Sequence, residues 1–112
     1  MSISNRKVVI VGAGHVGSHV GYALISQSLA DEIVYIDSDH AKAVAQALDL
    51  TDATNYLPVR TKVIAGDYSD AKDAQIMIIS AGPLPTGNQT RMDTLGQTIA
   101  ILKDVTKSIK ES

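Results

Sequence analysis

The segment VVIVGAGHVGS, residues 8–18, is the strongest indication of the fold in this 112-residue chain. Its first four residues form a continuous apolar run rich in β-branched side chains, which predicts a strand buried on both faces of a parallel sheet. The glycines that follow have the G-x-G-x-x-G spacing of a dinucleotide-binding turn. In such a turn Gly12 permits the tight bend, Gly14 leaves bare backbone for the pyrophosphate, and Gly17 lets the next helix approach the strand.

The helix that follows the turn is predicted to begin at Val16, and His15 lies inside the glycine fingerprint directly before it. A helix N-terminus offers free N–H groups and a positive dipole to phosphates, so we count both residues among those that bind the cofactor. For the His15 side chain, the pattern favours a variable residue that faces the pyrophosphate or solvent over a catalytic base.

An acidic residue ends the second predicted strand, residues 33–36. Asp37 comes twenty residues after Gly17, where a carboxylate accepts hydrogen bonds from the adenosine ribose hydroxyls. It would repel a 2′-phosphate, and no arginine follows immediately, so the sequence predicts NAD as the cofactor rather than NADP. We therefore expect Asp37 to face the glycine turn. The alternative is a simple glycine turn beside a solvated aspartate.

The rest of the chain alternates helices and strands. Helices are predicted over residues 16–28, from a cap at Ser38 or Asp39 to a point before Pro58, and over 92–110, with further strands at 61–65 and 76–79. Their predicted apolar faces are Val16, Val20, Ala23 and Leu24; Ala41, Val44, Ala45 and Leu48; and Leu95, Ile99, Leu102 and Ile109. Gly17 and Gly21 share a face of the first helix, which indicates close backbone packing.

This element order predicts an α/β fold, a Rossmann-type parallel sheet in the order 3-2-1-4 with flanking helices. A complete fold of this kind has about six strands. We therefore expect residues 1–112 to be an incomplete NAD-binding domain, with the C-terminal catalytic domain outside the chain. The uncovered edge of the fourth strand leads us to expect self-association or partial stability of the isolated chain.

Composition excludes several classes of function. The net charge is −2 and 45% of the residues are hydrophobic, which is typical of a globular domain and gives no reason to expect a nucleic-acid or membrane partner. No apolar run approaches the ~20 residues of a membrane span. The chain has no cysteine, and its histidines lack zinc-site spacing, so no metal is expected. A reducing cytoplasm fits this composition.

A loop after the fourth strand is the second candidate site. Ala81, Gly82 and Pro83 follow that strand directly, and the carboxyl ends of strands in an open α/β sheet border the ligand crevice. The polar segment 84–90, which contains Pro85 and Gly87, could close as a lid. Arg91, at the end of this loop, could donate to a substrate carbonyl as negative charge develops there. It could equally pair with Asp93 or face solvent.

Together these segments resemble the lactate/malate dehydrogenase family over nearly the whole chain. The matching pieces are VVIVGAGHVGS at 8–18, IVYID at 33–37, AQALDLTDA at 45–53, AGDYSDAKDAQIMIISAG at 65–82 and NQTRMDTLGQTIAILKDV at 88–105. The resemblance implies a cytoplasmic, dimeric or tetrameric enzyme that reversibly transfers hydride between NADH and a small 2-oxo acid. It also implies that Ala81, Gly82 and Pro83 lie beside the nicotinamide-side ribose, and that Arg91 is the lid arginine that polarises the substrate carbonyl.

The loop also departs from the family pattern. Pro85 stands where lactate enzymes usually carry glutamine and malate enzymes arginine, and Pro83 and Gly87 differ as well. An apolar Pro85 favours a larger substrate side chain, as in branched-chain (hydroxyisocaproate-like) relatives, whereas lactate is the commonest substrate of the group. The family's asparagine, carboxylate-binding arginine and Asp–His pair would come after residue 112. A non-catalytic NAD-sensing domain and a methyltransferase remain as alternatives from other classes.

Overall fold

A four-stranded parallel sheet organises the molecule. The computed structural model describes residues 6–57, 60–80, 87–88, 92 and 95–111. In chain order its elements are β1 (Lys7–Val11), α1 (His15–Ser26), β2 (Glu32–Ile36), α2 (His40–Thr54), β3 (Lys62–Ala65), a 3₁₀-helix (Tyr68–Asp73), β4 (Ile76–Ile79) and α3 (Leu95–Glu111). The strands are ordered β3-β2-β1-β4 and every neighbouring pair is parallel. The predicted fold class and strand order are confirmed.

Helices cover both faces of the sheet because alternate residues of its central strands point in opposite directions. Val8 and Ile10 of β1 pack on the face covered by α1 and α2. Val9 and Val11 pack on the other face, against Val105 of α3. Every residue of β1 is buried, as the continuous apolar run predicted. None of the helices in the described part of the chain is long and apolar enough to cross a membrane.

The predicted apolar face of α1 was right at Val20 and Leu24, which pack against the core, and wrong at Val16 and Ala23, which are exposed. The predicted face of α2 was wrong. In α1 the buried residues are Gly17, Gly21 and Ile25, whereas Val16 is 65% exposed. In α2 the four predicted residues are all exposed, and the buried ones share a neighbouring stripe: Ala43, Ala47 and Leu50. Small residues on the inner face let both helices lie close to the sheet, and each helix adds one large buried side chain, Ile25 in α1 and Leu50 in α2.

The predicted stripe of α3 was right at one position. Ile109 packs against the sheet together with Ile101 and Val105. The other predicted residues, Leu95, Ile99 and Leu102, are 45, 44 and 38% exposed. Helix α3 therefore carries two apolar stripes, and the one that contacts the sheet shares only Ile109 with the predicted stripe.

Tyr35 of β2 shows how closely α1 packs on the sheet. Its hydroxyl donates a 2.9 Å hydrogen bond to the Gly17 carbonyl, and burial raises the pKa of Tyr35 to about 12. A Cβ on Gly21 would collide with this hydroxyl and lie 2.9 Å from the Leu50 side chain. The expected close packing along the glycine face of α1 is therefore present.

Candidate functional site

The glycine turn between β1 and α1 has a shape that only glycine supports at two positions. Gly12 has φ +109°, and a Cβ there would lie 2.9 Å from the Ser80 main chain. A Cβ on Gly17 would collide with the Gly12 carbonyl oxygen. Gly14 differs, because nothing lies within 4 Å of its Cβ position. The turn is thus packed on its inner side and open at Gly14, as a phosphate-binding turn requires.

The carboxylate of Asp37 faces this turn, as the sequence predicted. Its Oδ2 accepts a 2.8 Å hydrogen bond from the Ala13 N–H, and its Oδ1 accepts a 2.9 Å bond from the Asp39 N–H. The main chain adds a 2.8 Å bond from the Gly12 N–H to the Ile36 carbonyl. The first and second strand ends are therefore tied together at the position where the acid lies.

A cleft of about 790 Å³ opens above these strand ends. The glycine turn and Asp37 form one side of it, and Ala100, Ile101 and Val105 of α3 form part of the other. Its volume is within the range of small-molecule sites. Main-chain N–H groups, a fixed carboxylate and an apolar wall are what the phosphates, ribose and adenine of a dinucleotide need, so the residues present fit such a ligand.

His15 and Val16 begin α1 at the mouth of the cleft and line it. Both residues are exposed. Ser18 donates to the His15 carbonyl at 2.9 Å, so the first turn of the helix is tied internally. The first N–H groups of α1 therefore lie at the open side of the turn.

Among the lining residues that were not predicted as site residues from the sequence are Lys42, Tyr68 and Ser80. Burial raises the pKa of Tyr68, with smaller effects from the carboxylates of Asp104 and Asp37. For Ser80 a signal existed, because it directly follows β4 and strand ends border the crevice in this kind of sheet. For Lys42 and Tyr68 only the tertiary structure brings them to the cleft.

Five predicted residues lie outside the described part of the chain: Ala81, Gly82, Pro83, Pro85 and Arg91. Their assigned roles beside the nicotinamide-side ribose, in substrate selection and in carbonyl polarisation therefore stay predictions. Within the described residues no group of three or more His, Cys, Asp or Glu side chains could hold a metal ion.

Comparison with known proteins gives a consistent result. The family model for the lactate/malate dehydrogenase NAD-binding domain matches residues 6–112. L-lactate dehydrogenase 3 of Bacillus cereus is 43% identical over 112 residues, which are 100% of this chain and 35% of that protein. The ligand-bound crystal structure of the minor L-lactate dehydrogenase from Enterococcus mundtii superimposes with a TM-score of 0.90 at 37% identity, covering 97% of this chain and 35% of that one.

A structure with lower sequence identity has the same fold over this chain. The lactate dehydrogenase from Cryptosporidium parvum, solved with lactic acid and nicotinamide adenine dinucleotide, has a TM-score of 0.87 at 27% identity, covering 97% of this chain and 34% of that one. The chain thus spans about 35% of the length of the curated relatives that it matches.

Proposed function

The chain belongs to the lactate/malate dehydrogenase family and carries its NAD-binding domain, and on that premise we propose that it forms the cofactor-binding part of an NAD-dependent L-2-hydroxyacid dehydrogenase. The observation that carries the proposal is the Asp37 carboxylate held against the glycine turn by the Ala13 N–H. The turn offers a pyrophosphate site and the acid offers a ribose site, and the two are joined by one hydrogen bond.

The residues of this chain bind and orient the cofactor. Gly14 and the first N–H groups of α1 would hold the pyrophosphate, because the helix dipole favours negative charge there. The Asp37 oxygens have lone pairs left for the ribose hydroxyls, because each carboxylate oxygen accepts more than one hydrogen bond. The same negative charge disfavours a 2′-phosphate, so NAD is preferred over NADP. When bound, the nicotinamide ring supplies the hydride chemistry.

For the substrate side we propose that Arg91 donates to the carbonyl of a 2-oxo acid as charge develops on its oxygen. The groups that move the proton and bind the substrate carboxylate would belong to a C-terminal catalytic domain that these 112 residues do not include. We further propose a cytoplasmic homo-oligomer, dimeric or tetrameric, without nucleic-acid or membrane partners.

Lactate and pyruvate are the proposed substrate pair. The relatives from Bacillus cereus and Enterococcus mundtii are both named L-lactate dehydrogenases, which supports this choice. Pro85 favours a second candidate, a branched-chain 2-hydroxy acid such as hydroxyisocaproate, because proline offers apolar surface and no side-chain hydrogen bond to a polar substituent.

Fluorescence titration of the full-length protein with NADH and with NADPH tests the cofactor assignment. We expect NADH to bind at least about 10-fold more tightly, since one repelled phosphate costs on the order of 1.4 kcal/mol or more. No detectable binding of NADH would remove the proposal.

Steady-state rates with pyruvate, 2-oxoisocaproate and oxaloacetate then identify the substrate. Arg91→Ala is expected to lower kcat by about 10²- to 10³-fold, the usual effect of losing one transition-state donor, and Arg91→Lys serves as the charge-matched control. If NADH binds but none of these acids is turned over, or if Arg91→Ala leaves turnover unchanged, a non-catalytic NAD-sensing role is favoured.

A further inference from the structure

Ser80 lies where β4 ends beside the glycine turn, and both its main chain and its side chain contact that turn. Its N–H donates a 2.8 Å hydrogen bond to the Val11 carbonyl. Its hydroxyl lies 3.2 Å from the Gly12 carbonyl oxygen and 3.3 Å from that of Val11. The half-buried Ser80 hydroxyl therefore shares its one proton between the two carbonyls that lead into the turn, with Gly12 the nearer acceptor.

The hydroxyl also fills a specific space. A Cβ on Gly17 would lie 3.2 Å from Ser80 Oγ, and a Cβ on Gly12 would lie 2.9 Å from it. The two glycines thus leave room for one oxygen atom between the end of β4 and the start of α1. A hydroxyl in this space provides a side-chain hydrogen-bond donor to the Gly12 carbonyl.

The Gly12 carbonyl and the Ala13 N–H belong to one planar peptide group. The carbonyl end accepts from Ser80, 68 residues away in sequence, and the N–H end donates to Asp37 at 2.8 Å. Rotation of this peptide group would break both hydrogen bonds. Its orientation is therefore fixed from two sides, by two strands that flank β1 in the sheet.

We propose that Ser80 is a positioning residue for the cofactor: together with Asp37 it clamps the Gly12–Ala13 peptide and so holds the phosphate-binding turn in its binding shape. The inference rests on the proposed dinucleotide site and adds to it a residue at the end of β4. Ser80 acts through the turn, and its contribution is to cofactor affinity. A turn that is already ordered loses less entropy when the ligand binds.

The clamp itself is tested by hydrogen–deuterium exchange in the full-length protein without added cofactor. Ser80→Ala removes the donor, and we expect faster exchange of the Ala13 amide with little change in the β1 amides. Ser26→Ala is the matched control, because the Ser26 hydroxyl donates only within its own helix, to the Ala23 carbonyl at 3.2 Å. This measurement does not depend on NADH binding, so its failure and the failure of the proposed function are distinguishable.

The effect of Ser80 on cofactor affinity is tested by NADH titration and steady-state kinetics. Ser80→Ala is expected to raise the NADH Kd by about 3- to 10-fold, the range for one net hydrogen bond, and to change KM for NADH more than kcat. Ser80→Thr keeps the donor and should stay within about two-fold of the wild type. In an Asp37→Asn background the effect of Ser80→Ala should shrink, because both residues hold one peptide group.

Unchanged Ala13 exchange in Ser80→Ala overturns the clamp. Faster exchange with an unchanged NADH Kd overturns its role in cofactor binding. Should Ser80→Ala fail to fold, Ser80→Thr decides the matter, since a variant that retains the hydroxyl but loses NADH affinity contradicts the proposal.

Discussion

Both carboxylate oxygens of Asp37 accept hydrogen bonds from main-chain N–H groups, one in the glycine turn and one at the start of α2. An aspartate that contacted only a ligand could be replaced without disturbing the protein. Here the same side chain joins the ends of β1 and β2, so its replacement should affect folding and cofactor binding together.

Asp37→Asn is the corresponding prediction. The asparagine side chain has a single acceptor oxygen, so its NH₂ group would face one of the two N–H donors and could not accept from it. Hydrogen bonds to charged groups contribute about 1.5–3 kcal/mol. We therefore expect the NADH Kd to rise about 10- to 100-fold and the midpoint of urea unfolding to shift to a lower urea concentration. Asp39→Asn is the control for stability, since Asp39 caps α2 and asparagine caps equally well. Equal stability of both variants would contradict the double role of Asp37.

Tyr35 gives a prediction about pH. The folded protein raises the pKa of its hydroxyl from 10.0 to about 12, so between these values the unfolded chain has lost a proton that the folded chain retains. The stabilisation is therefore complete below pH 10 and is lost as the pH rises toward 12. Unfolding measured from pH 9 to 11.5 should show a steeper loss of stability in the wild type than in Tyr35→Phe.

The same substitution has an effect at neutral pH. Tyr35→Phe removes the hydroxyl that donates to the buried Gly17 carbonyl, and we expect a loss of about 1 kcal/mol in the free energy of unfolding. Tyr22→Phe is the control, because Tyr22 is 51% exposed. If the two variants are equally stable at every pH, the Tyr35–Gly17 bond does not stabilise α1.

At the scale of elements, two glycines in helices should respond oppositely to alanine. Gly21→Ala in α1 places a methyl group against the Tyr35 hydroxyl and Leu50, and overpacking of this kind costs about 1–3 kcal/mol. Gly96→Ala in α3 meets nothing within 4 Å and should leave stability equal or raise it by up to about 1 kcal/mol. Thermal unfolding of both variants is the measurement. A stable Gly21→Ala would show that α1 can move away from the sheet at little cost.

The strands and the turn could be predicted because their signals are local. The apolar run of β1 and the glycines after it lie within eleven residues, and Asp37 follows at the standard distance. The face of α2 could not be predicted in the same way. In α2 the larger side chains of Val44 and Leu48 dominate the apolar pattern, yet Ala43 and Ala47 are buried because small residues permit close contact with the sheet.

Ser80 shows a second limit of sequence reasoning. Its hydroxyl contacts carbonyls 68 and 69 residues earlier in the chain. The strand order was predictable, and it brings β4 beside β1. Which atom of Ser80 fills the space between two glycines depends on side-chain packing that no local pattern reports.

At the scale of the whole molecule, apolar side chains are exposed along one edge of the sheet. The described strands include β4 as an edge strand, where Ile76 and Ile79 are 58 and 40% exposed. An unpaired apolar edge favours association with another chain. The opposite edge strand, β3, begins with the exposed Lys62, a residue type that discourages such pairing.

We therefore predict that the 112-residue chain self-associates at micromolar concentrations, and that Ile76→Lys reduces this by placing a charge on the edge. Tyr56→Lys is the charge-matched control, because Tyr56 is 90% exposed and lies after α2, away from β4. Size-exclusion chromatography with light scattering measures both. A wild-type chain that stays monomeric, or an equal effect of the two substitutions, would show that the β4 edge does not drive association.

The position of Asp37 between two backbone donors has a consequence for attempts to exchange the cofactor. Binding of a 2′-phosphorylated dinucleotide requires removal of this negative charge and a cation nearby. In this protein the exchange would also release the Ala13 and Asp39 amides. A successful redesign would thus have to install a new acceptor for both amides along with a cation for the phosphate, and single-site libraries at position 37 should yield weakly folded variants before they yield NADP-dependent ones.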